Sequence, residues 1–371
     1  MNRPLKVIIS GGGTGGHVFP AISIAQELKK RLPETDILFV GAEGRIEMEK
    51  VPAAGFAIEG LPVRGFDRKK IWKNIGVLVQ LRRSMAGART IVRRFGPDVV
   101  VGVGGYASGP VVKTAGKAGI PVLIQEQNSY AGVTNRLLAK QASVICVAYE
   151  GMERYFPREK IVLTGNPVRE EIVTSRITRE EALEFFHIPA GTEVILVLGG
   201  SLGAGTINSA VLQQLGTLQD KPVTLLWQTG KYYYDDILKQ MQGRESSRVQ
   251  IVDFIRRMDM AYAAATVIVS RAGAGTISEL AVVGKPVILV PSPNVAEDHQ
   301  TKNAMALVKK EAAVMIADRE AVEKLMTTAL ALLADPAWRS RLSENLKKMA
   351  RPHAGRDIVE KILELTGAGN E

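Results

Sequence analysis

Short apolar runs recur along the chain, separated by glycine-rich turns and by stretches with helical spacing. In the first half, residues 7–9, 36–40 (D-I-L-F-V), 98–102, 122–125 and 144–147 read as strands, and 18–30, 75–95 and 134–140 read as helices. Residues 162–169 (V-L-T-G-N-P-V-R) close this half, with Gly165 and Pro167 marking a hinge. The pattern then restarts, with strands at 194–198, 223–227, 249–252, 266–270 and 286–291, a polar loop at 294–300, and helix from Arg319 to near the end. Strands alternating with helices at this spacing form βαβ units on a parallel sheet. The reading is α/β: two Rossmann-like doubly wound domains facing a cleft, at 1–166 and 167–349.

Four of the strand-to-helix turns are glycine loops: G-G-G-T-G-G at 11–16, G-V-G-G-Y-A-S-G at 102–109, G-G-S-L-G-A-G at 199–205 and A-G-A-G-T at 272–276. A strand, a glycine loop and a helix together aim backbone N–H groups and a helix N-terminus at an anion. Paired loops in one sheet can converge at the carboxyl ends of the strands, where open α/β folds bind ligands. His17 follows the first loop, so its imidazole would lie beside whatever the loop holds.

Composition narrows the classes. The chain has 371 residues, 46% of them hydrophobic, and its mean hydropathy is +0.05, as in globular proteins of about two domains. No apolar run is long enough to span a bilayer, and the reading expects no secretory leader. The single Cys146 allows no internal disulfide and fits a reducing compartment. Charge is uneven: the first 167 residues hold 24 Lys and Arg against 13 Asp and Glu, a surplus exceeding the whole chain's +10. That half should attract something anionic. Within it, Arg64, Arg68, Lys69, Lys70 and Lys73 surround Ile71 and Trp72, and Ile75, Leu78 and Val79 continue one helical stripe. Such a basic amphipathic segment suits an anionic lipid surface; a core helix with a solvated basic face has the same pattern.

Thr276 and Glu279 have the spacing of a capping box. Glu279 can equally accept from a ribose diol, with the backbone of Ala274, Gly275 and Thr276 against nucleotide and phosphate, and with Ser201 offering a hydroxyl to a diphosphate. The sequence contains no Asp-x-Asp, and Asp235 and Asp236 read as a solvated helix start. No metal or other cofactor is expected. A departing diphosphate would then be held by helix N-termini, glycine amides and an arginine, with Arg169 and Arg271 as candidates.

The motifs G-G-G-T-G-G-H-V-F-P-A (11–21), G-V-G-G-Y-A-S-G-P (102–110), E-Q-N (126–128), G-N-P-V-R (165–169), G-G-S-L-G-A (199–204) and A-G-A-G-T-I-S-E (272–279) resemble, in order and spacing, the MurG family of peptidoglycan glycosyltransferases. The likeness runs from about residue 5 to 365. It implies a B-type glycosyltransferase fold whose last helix, about 350–371, returns to the first domain. It also implies inverting transfer of N-acetylglucosamine from UDP-N-acetylglucosamine to the C4 hydroxyl of the muramyl sugar of an undecaprenyl-diphosphoryl acceptor, at the cytoplasmic face of the bacterial inner membrane. Nucleic acid is not an expected partner. By this resemblance, donor contacts fall on Thr14, Gly15, Gly16, Asn128, Arg169, Ser201, Ile255, Ala274, Gly275, Thr276, Glu279 and Gln300. Gly13, Gly104, Gly105, Tyr106 and Ser108 would hold the acceptor diphosphate. His17 would be the general base, with Glu126 as a second candidate or as the residue that positions Asn128. Two departures stand out: Leu202 and His299 occupy positions where the family usually has glutamine.

Rival readings are a nucleotide-sugar epimerase on the same fold, a nicotinamide-dependent dehydrogenase and a non-catalytic membrane scaffold. Against the dehydrogenase, G-x-G-x-x-G is not met cleanly at 11–16, and no acid stands at a strand end about 20 residues on.

Overall fold

The structure is a computed structural model describing residues 3–63, 75–200, 202–218, 221–244 and 246–368; of residues 75–78 it describes the backbone only. The chain divides into two compact units, Met1–Val168 with Arg351–Glu371, and Arg169–Ala350.

The first unit runs β1 (Lys6–Gly11), α1 (Gly15–Arg31), β2 (Asp36–Ala42), α2 (Glu47–Ala53), β3 (Ala57–Leu61), α3 (Ile75–Phe95), β4 (Val99–Gly104), α4 (Ser108–Lys117), β5 (Val122–Glu126), α5 (Val133–Leu138), β6 (Val144–Val147) and β7 (Ile161–Leu163). Its sheet has the order β3-β2-β1-β4-β5-β6-β7, with every pairing parallel. Alternate side chains leave opposite faces of each strand. Val7 and Ile9 therefore join a core with Val18, Ile24 and Leu28 of α1, while Ile8 faces Val111, Val112 and Ala115 of α4.

The second unit runs α6 (Glu170–Val173), α7 (Arg179–Phe185), β8 (Glu193–Leu198), α8 (Gly205–Gln214), β9 (Val223–Gln228), α9 (Tyr234–Met241), β10 (Val249–Val252), α10 (Met258–Ala264), β11 (Val267–Ser270), α11 (Ala274–Val283), β12 (Val287–Leu289), α12 (His299–Val308), β13 (Val314–Met315), α13 (Ala321–Ala334) and α14 (Pro336–Lys348). Its parallel sheet has the order β10-β9-β8-β11-β12-β13. The chain then returns to the first unit as α15 (Ala354–Thr366), whose Ile358, Val359, Ile362 and Leu363 enter the α1 core.

Three differences from the sequence reading have local causes. Helix α1 starts three residues earlier than the apolar pattern shows, because Gly15 and Gly16 are already helical and Thr14 is the extended N-cap. Strands β3, β7 and β13 went unread: β3 carries Glu59 and Gly60 inside its run, and β7 and β13 are very short edge strands. The polar stretch at 294–300 is a short 3-10 turn that leads into α12 at His299.

Candidate active site

In a doubly wound sheet, ligands bind beyond the carboxyl ends of the two strands where the order reverses. Those strands are β1 and β4 in the first unit and β8 and β11 in the second. All four glycine loops follow these strands.

In the first unit the two loops meet back to back. Gly105 (φ +82°) approaches so closely that a Cβ there would stand 2.2 Å from Gly12 O. Gly104 (φ +94°) lies against the His17 ring, where a Cβ would be 3.0 Å from Cδ2 and from Nε2. His17 is the third residue of α1, and its Nδ1 is 3.3 Å from Thr14 Oγ1. Helix α1 has neither a side-chain cap nor an acid in its first turn, so its first N–H groups, at Gly15 and Gly16, present the positive end of the helix. Tyr106 is 58% exposed at the lip of the second loop.

Two expected roles change here, and for Glu126 the geometry favours one of the two roles expected. Gly13 donates its N–H to Glu47 Oε2 (2.9 Å), so that amide is already turned to an internal carboxylate. Ser108 is buried and donates to Gly105 O (2.9 Å), which makes it a brace for the loop. Glu126 is buried at the end of β5. Its Oε1 accepts from Asn128 N (3.0 Å), and its Oε2 from Gly132 N (2.9 Å) and Asn135 Nδ2 (2.9 Å). A carboxylate so enclosed shapes the loop carrying Asn128, which is the second of the two roles expected for it.

Burial pushes the Glu126 carboxyl above its ordinary range, while N–H donation from Asn128, Gly132 and Asn135 pulls it back. A raised carboxyl adds no penalty at low pH and a growing one as pH rises from the ordinary carboxylate range toward the raised value. In urea unfolding between about pH 4 and 7, wild type should therefore lose stability relative to Glu126→Gln as pH rises. The reverse slope would mean that the N–H donors outweigh burial.

In the second unit, α8 and α11 also start without side-chain caps or first-turn acids, with Ala204 and Gly273 at their N-caps. Thr276 is the third residue of α11, so the capping-box reading fails. Glu279 lies one turn further on. Its carboxylate accepts from Arg169 Nε (2.7 Å) and Nη2 (2.9 Å) and from the Tyr262 hydroxyl (3.3 Å). The carboxylate pushes the Arg169 guanidinium further up, and burial raises the Tyr262 hydroxyl. Arg271 does not stay available for a phosphate: it pairs with Asp318 and donates to Val290 O (3.0 Å). Ile255 is buried after β10, its N–H on Gln228 Oε1 (3.1 Å). Gln300 Oε1 accepts from Ser292 N (2.8 Å) and Ala272 N (3.3 Å), which leaves its NH₂ as the end that can meet a sugar hydroxyl. Leu202 is 78% exposed. His299 Nδ1 contacts Ala296 O at 2.8 Å. Among the described residues no group of three His, Cys, Asp or Glu is placed to hold a metal ion.

Ser201, Lys69, Lys70, Ile71, Trp72 and Lys73 lie outside the described residues, as do Arg64 and Arg68. Ile75 and Leu78 open α3, and Val79, next along it, is 49% exposed. Sequence reasoning missed Glu47, Asn135, Tyr262 and the buried amides Gln125, Gln127 and Asn166. Gln125 Nε2 donates to Asn166 Oδ1 (2.8 Å) and Asn166 Nδ2 to Gln127 O (3.0 Å), tying the end of β5 to the G-N-P segment. The partners of Asn166 lie 41 and 39 residues away, so no local signal could have found that tie.

Residues 7–147 match the Glycosyltransferase family 28 N-terminal domain, and residues 194–358 match the family's C-terminal domain. A Parabacteroides distasonis protein named UDP-N-acetylglucosamine–N-acetylmuramyl-(pentapeptide) pyrophosphoryl-undecaprenol N-acetylglucosamine transferase is 56% identical, over 98% of this chain and 99% of its own. A Bacteroides thetaiotaomicron protein of the same name is 53% identical over the full length of both. The chain belongs to glycosyltransferase family 28, in its MurG branch. The crystal structure of Acinetobacter baumannii MurG, 27% identical, covers 97% of this chain with all of its own, at a TM-score of 0.81. The two family 28 matches each contain one switch point, with β1 and β4 in the first and β8 and β11 in the second.

Proposed function

We infer that this chain transfers N-acetylglucosamine from UDP-N-acetylglucosamine to the C4 hydroxyl of N-acetylmuramic acid in undecaprenyl-diphosphoryl-MurNAc-pentapeptide, with inversion, as a step of peptidoglycan synthesis. The observation that carries this reading is full-length identity of more than half to transferases of that name. The glycine loops at both switch points support it.

In the reaction, the acceptor O4 attacks C1 of the donor sugar. Its proton passes to the His17 imidazole, the C1–O bond to the diphosphate breaks, and UDP leaves with the electron pair. The second unit holds the donor: Glu279 takes the ribose diol, and the uncapped starts of α8 and α11 face the diphosphate. The first unit holds the acceptor diphosphate at the Gly104–Gly105 turn and at the start of α1, so Gly15 and Gly16, which the resemblance sets against the donor, are assigned here to the acceptor. Fixed dipoles meet the leaving charge, so no metal ion is required.

Labelled UDP-N-acetylglucosamine incubated with a short-chain lipid I analogue should give labelled lipid product at the same rate with and without EDTA. Abolition by chelator would remove the metal-free mechanism. Conversion of the nucleotide sugar without acceptor would favour an epimerase.

The basic surplus of the first unit favours peripheral binding at the cytoplasmic face of the bacterial inner membrane. No helix among the described residues is long and apolar enough to cross a membrane. Helix α4 packs against both α3 and α5. These two flanking helices expose Val79 (49%) and Leu81 (41%) on α3 and Leu137 (73%) on α5. Flotation with anionic vesicles should capture the protein at low salt and lose it as salt rises. Leu137→Glu should weaken that capture; equal binding to neutral vesicles would contradict the charge-driven attachment.

A further inference from the structure

We propose that Glu47 is the positioning residue of the acceptor site: an internal anion that sets the first glycine loop so that the amides at the start of α1, and not that of Gly13, meet the acceptor diphosphate. This rests on the reading above that the loop holds that diphosphate.

Glu47 is the first residue of α2 and is 1% exposed. Its two carboxylate oxygens do separate work. Oε1 accepts the N–H of Ala42 at the end of β2, and Oε2 accepts the N–H of Gly13, both at 2.9 Å. The carboxylate thus bridges the end of β2 and the loop that follows the neighbouring strand β1. Space is made for it on both sides. A Cβ on Gly12 would stand 2.1 Å from Oε1, and one on Gly41 would stand 2.6 Å from Cγ. Gly12 and Gly41 therefore answer to Glu47, although in the sequence Gly12 looks like part of a phosphate cradle.

The consequence for binding follows from direction. A backbone N–H that donates to a buried carboxylate cannot also meet a ligand head-on. Gly13 is thus withdrawn from the anion site, and the chain turns at Thr14 into α1, whose first amides have no side-chain cap. Loss of one hydrogen bond to a charged acceptor is enough to let such a loop sample other conformations.

The test uses the full chain with Glu47→Gln, where one oxygen becomes an NH₂ that opposes one of the two N–H donors. Three measurements are compared with wild type: hydrogen exchange of the peptide containing Gly13, KM and kcat with a short-chain lipid I analogue, and the Kd for UDP-N-acetylglucosamine. Exchange at Gly13 should accelerate, KM for the acceptor should rise about 10-fold, and kcat at saturating acceptor and the donor Kd should stay within about 3-fold of wild type. Unchanged exchange in a folded variant would overturn the positioning role. Faster exchange with an unchanged acceptor KM would instead show that the loop does not hold the acceptor, and the inference would fall with that reading. A parallel loss of donor affinity would mark general loosening and also overturn it. If Glu47→Gln does not fold, Glu47→Asp, which keeps the charge but reaches only one N–H, is judged by the same measurements.

Discussion

Replacing His17 with alanine is expected to lower turnover by about 10²–10⁴ while leaving affinity for the UDP-sugar unchanged. The size is that of a general base that takes a proton in the transition state. The specificity comes from place: His17 is on α1 in the first unit, whereas Arg169, Glu279 and the starts of α8 and α11, assigned to the donor, all belong to the second. The ring is partly exposed, and its removal opens no core cavity. Its tautomer matters, because only an unprotonated ring nitrogen can accept. Thr14 Oγ1 lies 3.3 Å from Nδ1. If the hydroxyl accepts from Nδ1–H, Nε2 is left as the base; if it donates, Nε2 carries the proton and cannot act. Thr14→Val should therefore cost part of the His17 effect without adding to it in the double variant. Initial rates with a lipid I analogue and titration calorimetry with the UDP-sugar separate the two terms. Normal turnover in the alanine variant would remove His17 from the mechanism.

Much of the fold is legible in the sequence because its signals are local. Buried parallel strands read as apolar runs, and 99–104 and 122–126 are buried at every position. The four glycine loops mark the switch-point strands for the same reason, since a turn from strand into helix beside an anion favours residues without side chains. Where partners are distant, the sequence is silent or misleading. Arg271 looks like a phosphate ligand beside a glycine loop, but its partner Asp318 comes from the segment before α13. Glu126 admits two readings in the sequence, as a base or as the holder of Asn128, and only its burial with N–H donors favours the second. Glu47 resembles any polar residue of a short helix, and only the pairing of β1 with β2 brings it under Gly13. Local pattern thus locates the loops. Which side chains face a ligand and which face the loop is settled by contacts between segments far apart in the chain.

Glu279→Ala is expected to weaken UDP-sugar binding by about 10–100-fold and to change kcat at saturation little, because hydrogen bonds to a charged acceptor are lost in ground and transition state alike. The free protein does not leave that carboxylate idle. Arg169 clasps it through Nε and Nη2, with Tyr262 alongside. Arg169 is 43% exposed and Glu279 16%, so solvent discounts the pair as a source of stability, and its value lies in holding the carboxylate in one orientation. Two roles for Arg169 then separate in a double-mutant cycle. If the guanidinium only orients Glu279, Arg169→Ala should weaken donor binding in the wild-type background and add nothing to Glu279→Ala. If it also meets the diphosphate, the loss should persist in the Glu279→Ala background, where the arginine has lost its clasp but kept its charge. Donor Kd values for the four proteins give the coupling directly. An alanine at 279 that slowed bound substrate without loosening it would deny the ribose role, because a group that acts in ground-state binding must show in Kd before it shows in kcat.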